Sequence, residues 1–218
     1  MKLLERAIVL LLLFCLFFLQ GCQPYSRDTD YQMFETIMSE LSKQNALHVS
    51  LINENSIDGI SEEGVNNEIW KSSNNFAMTI HLPEVDQNTL FYDGIFYVQR
   101  NGKYEKAGNV GLIPDLWAGI LDTASSDDIS SLTIQSAENG DILYLRFKPD
   151  ENHNAVISAT IKIDAEGKVS SITTTAEWKQ TIDGDVHTFK TIQTTVFLSY
   201  DKEVIDDVIA SRIKNASE

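Results

Sequence analysis

Pairs made of an acidic or amide residue and a glycine constrain the fold of this chain more than any other feature. Asp93-Gly94 and Asn101-Gly102 each separate two short segments rich in aromatic and aliphatic residues. Both members of such a pair tolerate the positive φ angles of a type I′ turn, whose twist matches that of paired strands. Residues 89–107 are therefore predicted to form a three-stranded antiparallel meander with both glycines at positive φ.

Alternation of apolar and polar residues extends this pattern over most of the chain. A period of two predicts half-buried strands, and further turns are predicted at 72–75, 139–141, 166–167 and 183–185. The expected total is about nine or ten strands in hairpin succession. One face of this sheet is expected to be polar and the other to need an apolar layer. The residues expected on the polar face are Thr173, Thr175, Thr191 and Thr195.

Three segments depart from the period of two and are predicted to be helices. Residues 31–41 and 204–213 carry apolar side chains at helical spacing. Residues 114–122 begin with a proline, which suits the first position of a short apolar helix. These helices are natural partners for the apolar face of the sheet. We therefore expect a single α+β domain over residues 30–218.

The start of the chain has the features of a secretory leader. Lys2 and Arg6 precede an uninterrupted apolar run at residues 7–19. A helix that crosses a bilayer needs about twenty apolar residues, so this run suits a signal peptide better than a membrane span. An uncleaved single-span anchor and a buried core helix are the alternatives, but a core helix would show a polar face, which this run lacks. We expect a signal peptide over residues 1–21.

The residues that follow resemble the lipobox of bacterial lipoproteins. Leu19, Gln20, Gly21 and Cys22 close the apolar run, with Gln20 where a lipobox usually has a small or apolar residue. The resemblance implies cleavage between Gly21 and Cys22 and diacylation of the thiol with fatty acids such as palmitate. Two or three acyl chains anchor a protein stably. The chain is thus expected at the extracytoplasmic face of the cell membrane, with residues 22–29 as a lipidated tether.

A second resemblance concerns the body of the chain. A lipobox, a short tether and a segment such as FYDGIFYVQRNGKYEKAG resemble the LolA-like family of envelope lipoproteins and carriers, and are locally closest to lipoproteins of Gram-positive bacteria. The resemblance covers residues 30–210. It implies a curved, incomplete antiparallel barrel that wraps around a few helices and encloses an apolar cavity. It supplies no catalytic residues.

Charge and motifs exclude several classes of function. The formal net charge is −15, which argues against nucleic acid and against docking on anionic lipid headgroups. The sequence contains no GxSxG, P-loop or GxGxxG pattern, and Asp183-Gly184-Asp185 does not complete an EF-hand. We expect no enzyme, no cofactor and no metal. The four histidines are far apart in the sequence and show no metal-binding spacing: His48, His81, His153 and His187.

Large aromatic and aliphatic residues form the remaining candidate site. An ordinary core is one interpretation, and the lining of an apolar pocket is the other. If these residues line a pocket, residues 114–122 are expected to act as a flap over the sheet. The candidate lining residues are Phe96, Leu116, Trp117, Ile120, Leu121 and Trp178.

Two functions of different class follow from these features. The first is a membrane-anchored module that binds or carries a lipid or another apolar ligand. The second is an envelope interaction or sensor module that docks on another protein through its sheet edge or acidic face, with no small-molecule ligand. An apolar cavity between sheet and helices would distinguish the first from the second.

Overall fold

A computed structural model of the protein describes residues 27–62, 64–109, 128–149 and 155–215. The chain forms two helices and twelve strands in this part. They are α1 (Arg27–Ser42), β1 (Ala46–Ile57), β2 (Ile60–Ser61), β3 (Val65–Ser72), β4 (Asn75–His81), β5 (Asp86–Tyr92), β6 (Ile95–Arg100), β7 (Lys103–Asn109), β8 (Ile129–Ala137), β9 (Gly140–Phe147), β10 (Val156–Ile163), β11 (Val169–Ile182), β12 (Asp185–Ser199) and α2 (Lys202–Lys214). Residues 27–29, part of the predicted tether, belong to α1.

All twelve strands belong to one antiparallel sheet. Their order is β7-β6-β5-β4-β3-β1-β12-β11-β10-β9-β8, and β2 pairs with β1 beside this path. Two meanders, β3 to β7 and β8 to β12, therefore meet where β1 pairs with β12. Within the described residues β7 and β8 are the two edges, so the sheet is open. The antiparallel α+β architecture agrees with the prediction.

The number of strands is larger than the predicted nine or ten. The strand β2 consists of only Ile60 and Ser61, placed beside Ile57 by a turn at Asp58 and Gly59 with φ angles of 51° and 80°. Two residues are too few to show alternation.

The two glycine turns of the meander have the predicted geometry. Asp93 and Gly94 have φ angles of 50° and 77°, and Asn101 and Gly102 have 51° and 79°. Two consecutive positive φ angles define the type I′ turn. These turns connect β5, β6 and β7, so the predicted meander is confirmed.

The helices pack on opposite faces of the sheet. Phe34 and Leu41 of α1 share one buried cluster with Leu47 of β1. Ile205 of α2 belongs to a second cluster with Ala46 of β1. Consecutive strand residues point to opposite faces, so Ala46 and Leu47 separate the two. We call these the α1 face and the α2 face.

This arrangement differs from the predicted one, in which the helices together fill the curve of a half-barrel. The amphipathic stripe of a helix shows that it packs against something, but not on which side of a sheet it lies. Here α2 returns along the far side of β1, β3, β4 and β5. The apolar side of α2 packs against four buried residues of the sheet: Trp70, Ala77, Leu90 and Tyr104.

The four threonines expected on one polar face lie on two faces. Thr191 and Thr195 face Ala176 and Ile172 across the β11–β12 pairing, and Ile172 is 2% exposed in the α1-face core. Thr173, which follows Ile172, points to the α2 face, and so does Thr175. The prediction of a single threonine-rich face was therefore wrong. Alternation within each strand does not set the register of β11 against β12, which decides which of their faces coincide.

Candidate functional site

Among the described residues, four buried polar atoms on the α1 face have no hydrogen-bond partner. They are Oδ1 of Asn67 and the Oγ1 atoms of Thr89, Thr174 and Thr195. Thr89 is 4% and Thr195 is 3% exposed. A buried polar group without a partner costs about 1–3 kcal/mol, and most such groups in native proteins are paired. Four of them on one face mark a place where the sheet can receive a polar group from elsewhere.

Three of these residues lie on the same face of β3, β12 and β11, within four adjacent strands at the centre of the sheet. Thr195 of β12 stands between Ile172 of β11 and Leu51 of β1, and Leu51 in turn faces Asn67 of β3. Two strand spacings, or about 10 Å, thus separate Thr195 from Asn67. Thr174 is the diagonal neighbour of Thr195, at about 7–8 Å. We call Asn67, Thr174 and Thr195 the central polar trio.

The surroundings of the central polar trio are largely apolar. Ile172 is 2% exposed, and Ile161, its register partner on β10, is 1% exposed. Ala159, which faces Thr174, belongs to the same buried cluster. Ligand sites for small molecules are typically apolar with a few well-placed polar groups. The α1 face has this composition towards β10, whereas Gln193 of β12 faces Thr174 and Asn53 of β1 faces Gln193.

Aromatic pairs flank the trio on both sides. Trp178, four residues beyond Thr174 on the same face of β11, stacks on Phe189 with ring centroids 5.5 Å apart. On the other meander, Phe76 and Phe91 stack at 5.6 Å. Aromatic side chains bury large apolar areas. Phe76 and Phe91 are buried, whereas Trp178 and Phe189 are partly exposed, so the α1 face offers accessible apolar area on β11 and β12.

The predicted pocket residues are distributed over different parts of the sheet. Phe96 is the register partner of Phe91 on β6, whereas Trp178 lies on β11. Six strand spacings separate them, or about 29 Å along the sheet, although both belong to the α1 face. The other predicted site residues lie outside the described residues: Gly21, Cys22, Leu116, Trp117, Ile120 and Leu121. The predicted flap helix at 114–122 lies outside them as well.

A cavity of about 260 Å³ lies between α1 and the start of β11. Its walls include Ile37, Leu41 and Val169, with Lys168 at its rim. The Tyr200 hydroxyl in its wall donates to the Val169 carbonyl at 2.6 Å. Burial, assisted by the Asp164 carboxylate, raises the pKa of Tyr200, so this hydroxyl stays protonated. The cavity is smaller than the roughly 300–1,000 Å³ typical of ligand pockets.

The α2 face carries a polar cluster that the sequence did not indicate. The two oxygens of Glu68 lie 2.7 Å from Nε2 of His48 and 3.8 Å from Nε2 of His81. Nδ1 of His81 lies 2.9 Å from Asp86. The pairing of β1, β3 and β4 thus brings together two histidines that are distant in the sequence. Among the described residues, no group of three or more histidine, cysteine, aspartate or glutamate side chains could hold a metal ion.

The missed residues of the central polar trio had no recognisable signal. Asn67 lies in the polar run Asn66–Glu68, and the alternation along β12 does not show which face of the sheet Thr195 occupies. Only the pairing of β1 with β12, which joins residues more than a hundred positions apart, shows that they face the same side.

No helix in the described part of the chain combines the length and apolar character that crossing a bilayer requires.

In the part of the chain that the structure describes, the fold and site together define an open antiparallel sheet with one helix on each face and a polar trio on the α1 face. No family model and no curated protein matches the chain. Among solved structures, LprF from Mycobacterium bovis is similar with a TM-score of 0.43 and 11% identity, over 76% of this chain and 91% of that chain. A LolA superfamily protein from Nitrosomonas europaea has a TM-score of 0.33 and 10% identity, over 81% and 96%.

A chain of the MucA/MucB complex of Pseudomonas aeruginosa is also similar, with a TM-score of 0.19 and 9% identity, over 76% of this chain and 93% of that chain. A LolA superfamily protein is thus among the solved structures that the chain resembles. TM-scores below 0.5 at these identities assign the chain to no family.

Proposed function

We propose that this protein is a lipid-anchored envelope lipoprotein with a LolA-like, half-barrel sheet that binds an amphiphilic ligand on its α1 face. The observation that carries the proposal is the central polar trio, whose buried oxygen atoms lack partners within an apolar face. A lipid or fatty acid has the complementary chemistry, since an apolar chain adjoins a group that forms hydrogen bonds. Binding rather than catalysis is the role we assign to these residues.

The energetics favour a ligand that satisfies the trio. Burial of apolar surface contributes about 25 cal/mol per Å², which favours any apolar chain against the sheet. The unpartnered atoms of Asn67, Thr174 and Thr195 add selectivity, because a ligand that bonds to them removes a cost of about 1–3 kcal/mol each. A purely apolar ligand would leave that cost in place. The site should therefore prefer a fatty acid to an alkane of the same length.

The proposed anchor is Cys22, five residues before α1 begins at Arg27. A diacylated cysteine would hold the domain at the extracytoplasmic face of the membrane. The net charge of −15 would at the same time repel the domain from anionic headgroups. The ligand site would thus be held near the bilayer, where lipids are abundant, without lying flat upon it.

The test is binding of a fluorescent fatty acid, cis-parinaric acid, to protein that begins at Gln23. We expect saturable binding, and we expect Thr195→Val to weaken it by about fivefold to tenfold because an oxygen that meets the ligand is lost. Thr173→Val is the matched control, since its hydroxyl lies on the α2 face and already pairs with Thr194 at 3.2 Å. Absence of binding, or equal loss in both variants, would refute the proposal.

A further inference from the structure

Helix α2 leaves part of the α2 face accessible to a ligand. Among the described residues it packs on β1, β3, β4 and β5, and strands β8 to β12 continue the sheet beyond it. Tyr144 of β9 lies between Leu143 and Leu145, which are buried in the α1-face cluster, so its ring points to the α2 face. Tyr144 is 44% exposed. Its ring is thus an accessible aromatic surface on β9.

Three rows of side chains cross strands β8 to β12 on this face, and we call them the hydroxyl rows. The strand register places Gln135, Ile142, Lys162, Ser171 and Val196 in the first row, Thr133, Tyr144, Thr160, Thr173 and Thr194 in the middle row, and Ser131, Arg146, Ser158, Thr175 and Ile192 in the third row. Nine of the fifteen residues carry a hydroxyl group, which can both donate and accept hydrogen bonds. The rows therefore match a ligand that is itself rich in hydroxyl groups.

The hydroxyl rows are positively charged, whereas the whole chain has a net charge of −15. Arg146 and Lys162 are exposed, and none of the fifteen residues is acidic. Arg146 lies two residues along β9 from Tyr144, at about 7 Å. Lys162 is the register partner of Ile142, so it is a diagonal neighbour of Tyr144 on the other side, at about 7–8 Å. The ring of Tyr144 thus lies between two cations.

The acidic residues next to the third row do not neutralise this charge. Glu177, just beyond the row, is the register partner of Lys190. Glu54 of β1 is the register partner of Ile192, and four strand spacings, or about 19 Å, separate it from Arg146. Interactions between exposed charges are largely screened beyond about 8–10 Å at physiological salt. Glu54 is therefore too distant to cancel the charge of Arg146.

The turns beyond the first row are acidic, but their carboxylates lie outside the rows. The carboxylate of Asp164 accepts hydrogen bonds from two backbone N–H groups of its own turn, both at 2.9 Å. Asp141 precedes Ile142 on β9, so it points to the α1 face. Glu138 lies beyond the end of β8. The charge is thus mixed at the turns and positive around Tyr144.

The middle row suits an extended polysaccharide that crosses the strands. Neighbouring strands lie about 4.7–4.9 Å apart, a spacing similar to the length of one hexose in an extended 1,4-linked chain. Successive sugars would therefore lie over successive strands, with one ring against the face of Tyr144. In such a chain the substituents of successive sugars project to alternate sides. Arg146 and Lys162 likewise lie on opposite sides of the middle row.

We propose that the hydroxyl rows bind an anionic polysaccharide, a β-1,4-linked chain of uronic acids that lies along the middle row. Carboxylates of successive sugars would form charge-assisted hydrogen bonds with Arg146 and Lys162. An acidic peptide could use the two cations but would leave the hydroxyl groups without a counterpart. The rows lie on the opposite face from the central polar trio, so this inference does not depend on the proposed ligand.

The experiment is isothermal titration calorimetry of the full-length protein in uncharged detergent micelles with a hexamer of β-1,4-linked glucuronic acid. We expect saturable binding at low salt that weakens as salt is added. Cellohexaose has the same backbone without carboxylates, and hexaglutamate has the carboxylates without sugar rings. Each should bind at least about tenfold more weakly than the glucuronate hexamer, because each lacks half of the recognised chemistry.

Variants test the ring and the cations separately. Tyr144→Ala should bind the hexamer at least about fivefold more weakly, and Tyr144→Phe, which keeps the ring, should bind it better than Tyr144→Ala does. Arg146→Gln/Lys162→Gln should weaken binding and reduce its salt dependence. Arg100→Gln/Lys103→Gln is the matched control, since it removes one arginine and one lysine from the exposed β6–β7 hairpin. Circular dichroism would show that all variants fold.

Several results would overturn the inference. The first is absence of binding by the glucuronate hexamer, and the second is equal affinity for cellohexaose. Equal affinity for hexaglutamate would identify an acidic peptide as the partner instead of a polysaccharide. Equal loss of affinity in the two double variants, or unchanged affinity in Tyr144→Ala, would show that binding does not take place on the hydroxyl rows.

Discussion

The guanidinium of Arg212 lies over the ring of Trp70, with Cζ 4.4 Å from the ring centroid. The same ring stacks against the imidazole of His48 at a centroid distance of 4.7 Å. Arg212 also donates to Oγ1 of Thr79 at 3.1 Å. These contacts fix the last turn of α2 to β1, β3 and β4. The side chain of Arg212 is therefore the main polar connection between α2 and the sheet among the described residues.

Arg212→Lys should lower the free energy of unfolding by about 1–2 kcal/mol. Lysine keeps the charge but loses the planar stacking on Trp70 and the forked hydrogen bonds to the sheet. Urea denaturation followed by fluorescence would measure the change. Arg100→Lys is the control, since Arg100 is 71% exposed and lies 3.9 Å from Glu105. Equal effects of the two substitutions would show that the contact with Trp70 adds no stability.

Gly140→Ala should destabilise the protein far more than Gly94→Ala. A Cβ atom on Gly140 would lie 1.9 Å from the carbonyl oxygen of Ile163, which is part of the backbone. A Cβ atom on Gly94 would meet nothing within 4 Å, so only its positive φ is unfavourable. We expect a loss of about 3 kcal/mol at Gly140 and about 1 kcal/mol at Gly94. Thermal unfolding of both variants would measure the two losses of stability. Similar losses would contradict the close packing of Gly140 against the backbone of Ile163.

Local features of the fold could be predicted from the sequence because their causes are local. Asp93-Gly94 and Asn101-Gly102 determine their turns through the φ angles of two residues. The stripe of residues 204–213 likewise predicts α2, which starts after Asp201, whose side chain accepts hydrogen bonds from the backbone of the first turn.

Long-range features could not be predicted, and the candidate site depends on them. Ala46 belongs to the cluster of α2, and Leu47 belongs to the cluster of α1. Because both residues are apolar, the sequence does not show on which face α2 packs. Asn67 and Thr195 lie two strand spacings apart because β1 pairs with β12, the last strand of the chain. A shift of one residue in that register would move Thr195 to the other face. The sequence sets no such register by itself.

Thr195→Val should raise the free energy of unfolding of the ligand-free protein by about 1 kcal/mol. Valine has nearly the same shape as threonine, and it removes a buried oxygen that has no partner. Thr173→Val should have the opposite sign, because it breaks the 3.2 Å contact with the hydroxyl of Thr194. Chemical denaturation of both variants gives the comparison. Destabilisation by Thr195→Val would show that its hydroxyl is satisfied in solution.

Cys22→Ala should abolish lipid attachment and leave the leader uncleaved. The thiol is the atom to which the proposed diacylglyceryl group is attached, and alanine offers no nucleophile. Radiolabelled palmitate fed to expressing cells would measure incorporation. Thr133→Ala, a substitution on the exposed side of β8, is the control and should be labelled like the unchanged protein. Equal labelling of Cys22→Ala would refute the proposed anchor.

Asp58→Asn should destabilise the protein at neutral pH, and the difference from the unchanged protein should shrink in acid. The backbone N–H of Thr188, followed by His187, lowers the pKa of Asp58 below its usual value of 3.8. A carboxylate whose folded pKa is lowered stabilises the fold above its unfolded pKa, and this contribution is lost as the pH falls through the folded value. Urea midpoints at pH 7, 5 and 3 should therefore show a gap that is constant from pH 7 to 5 and smaller at pH 3. Glu138→Gln, an exposed carboxylate on the β8–β9 turn, should show no such gap at any of these values. A gap for Asp58→Asn that persists undiminished at pH 3 would mean that the charge of Asp58 does not help to hold the β1–β2 and β11–β12 hairpins together through His187 and Thr188.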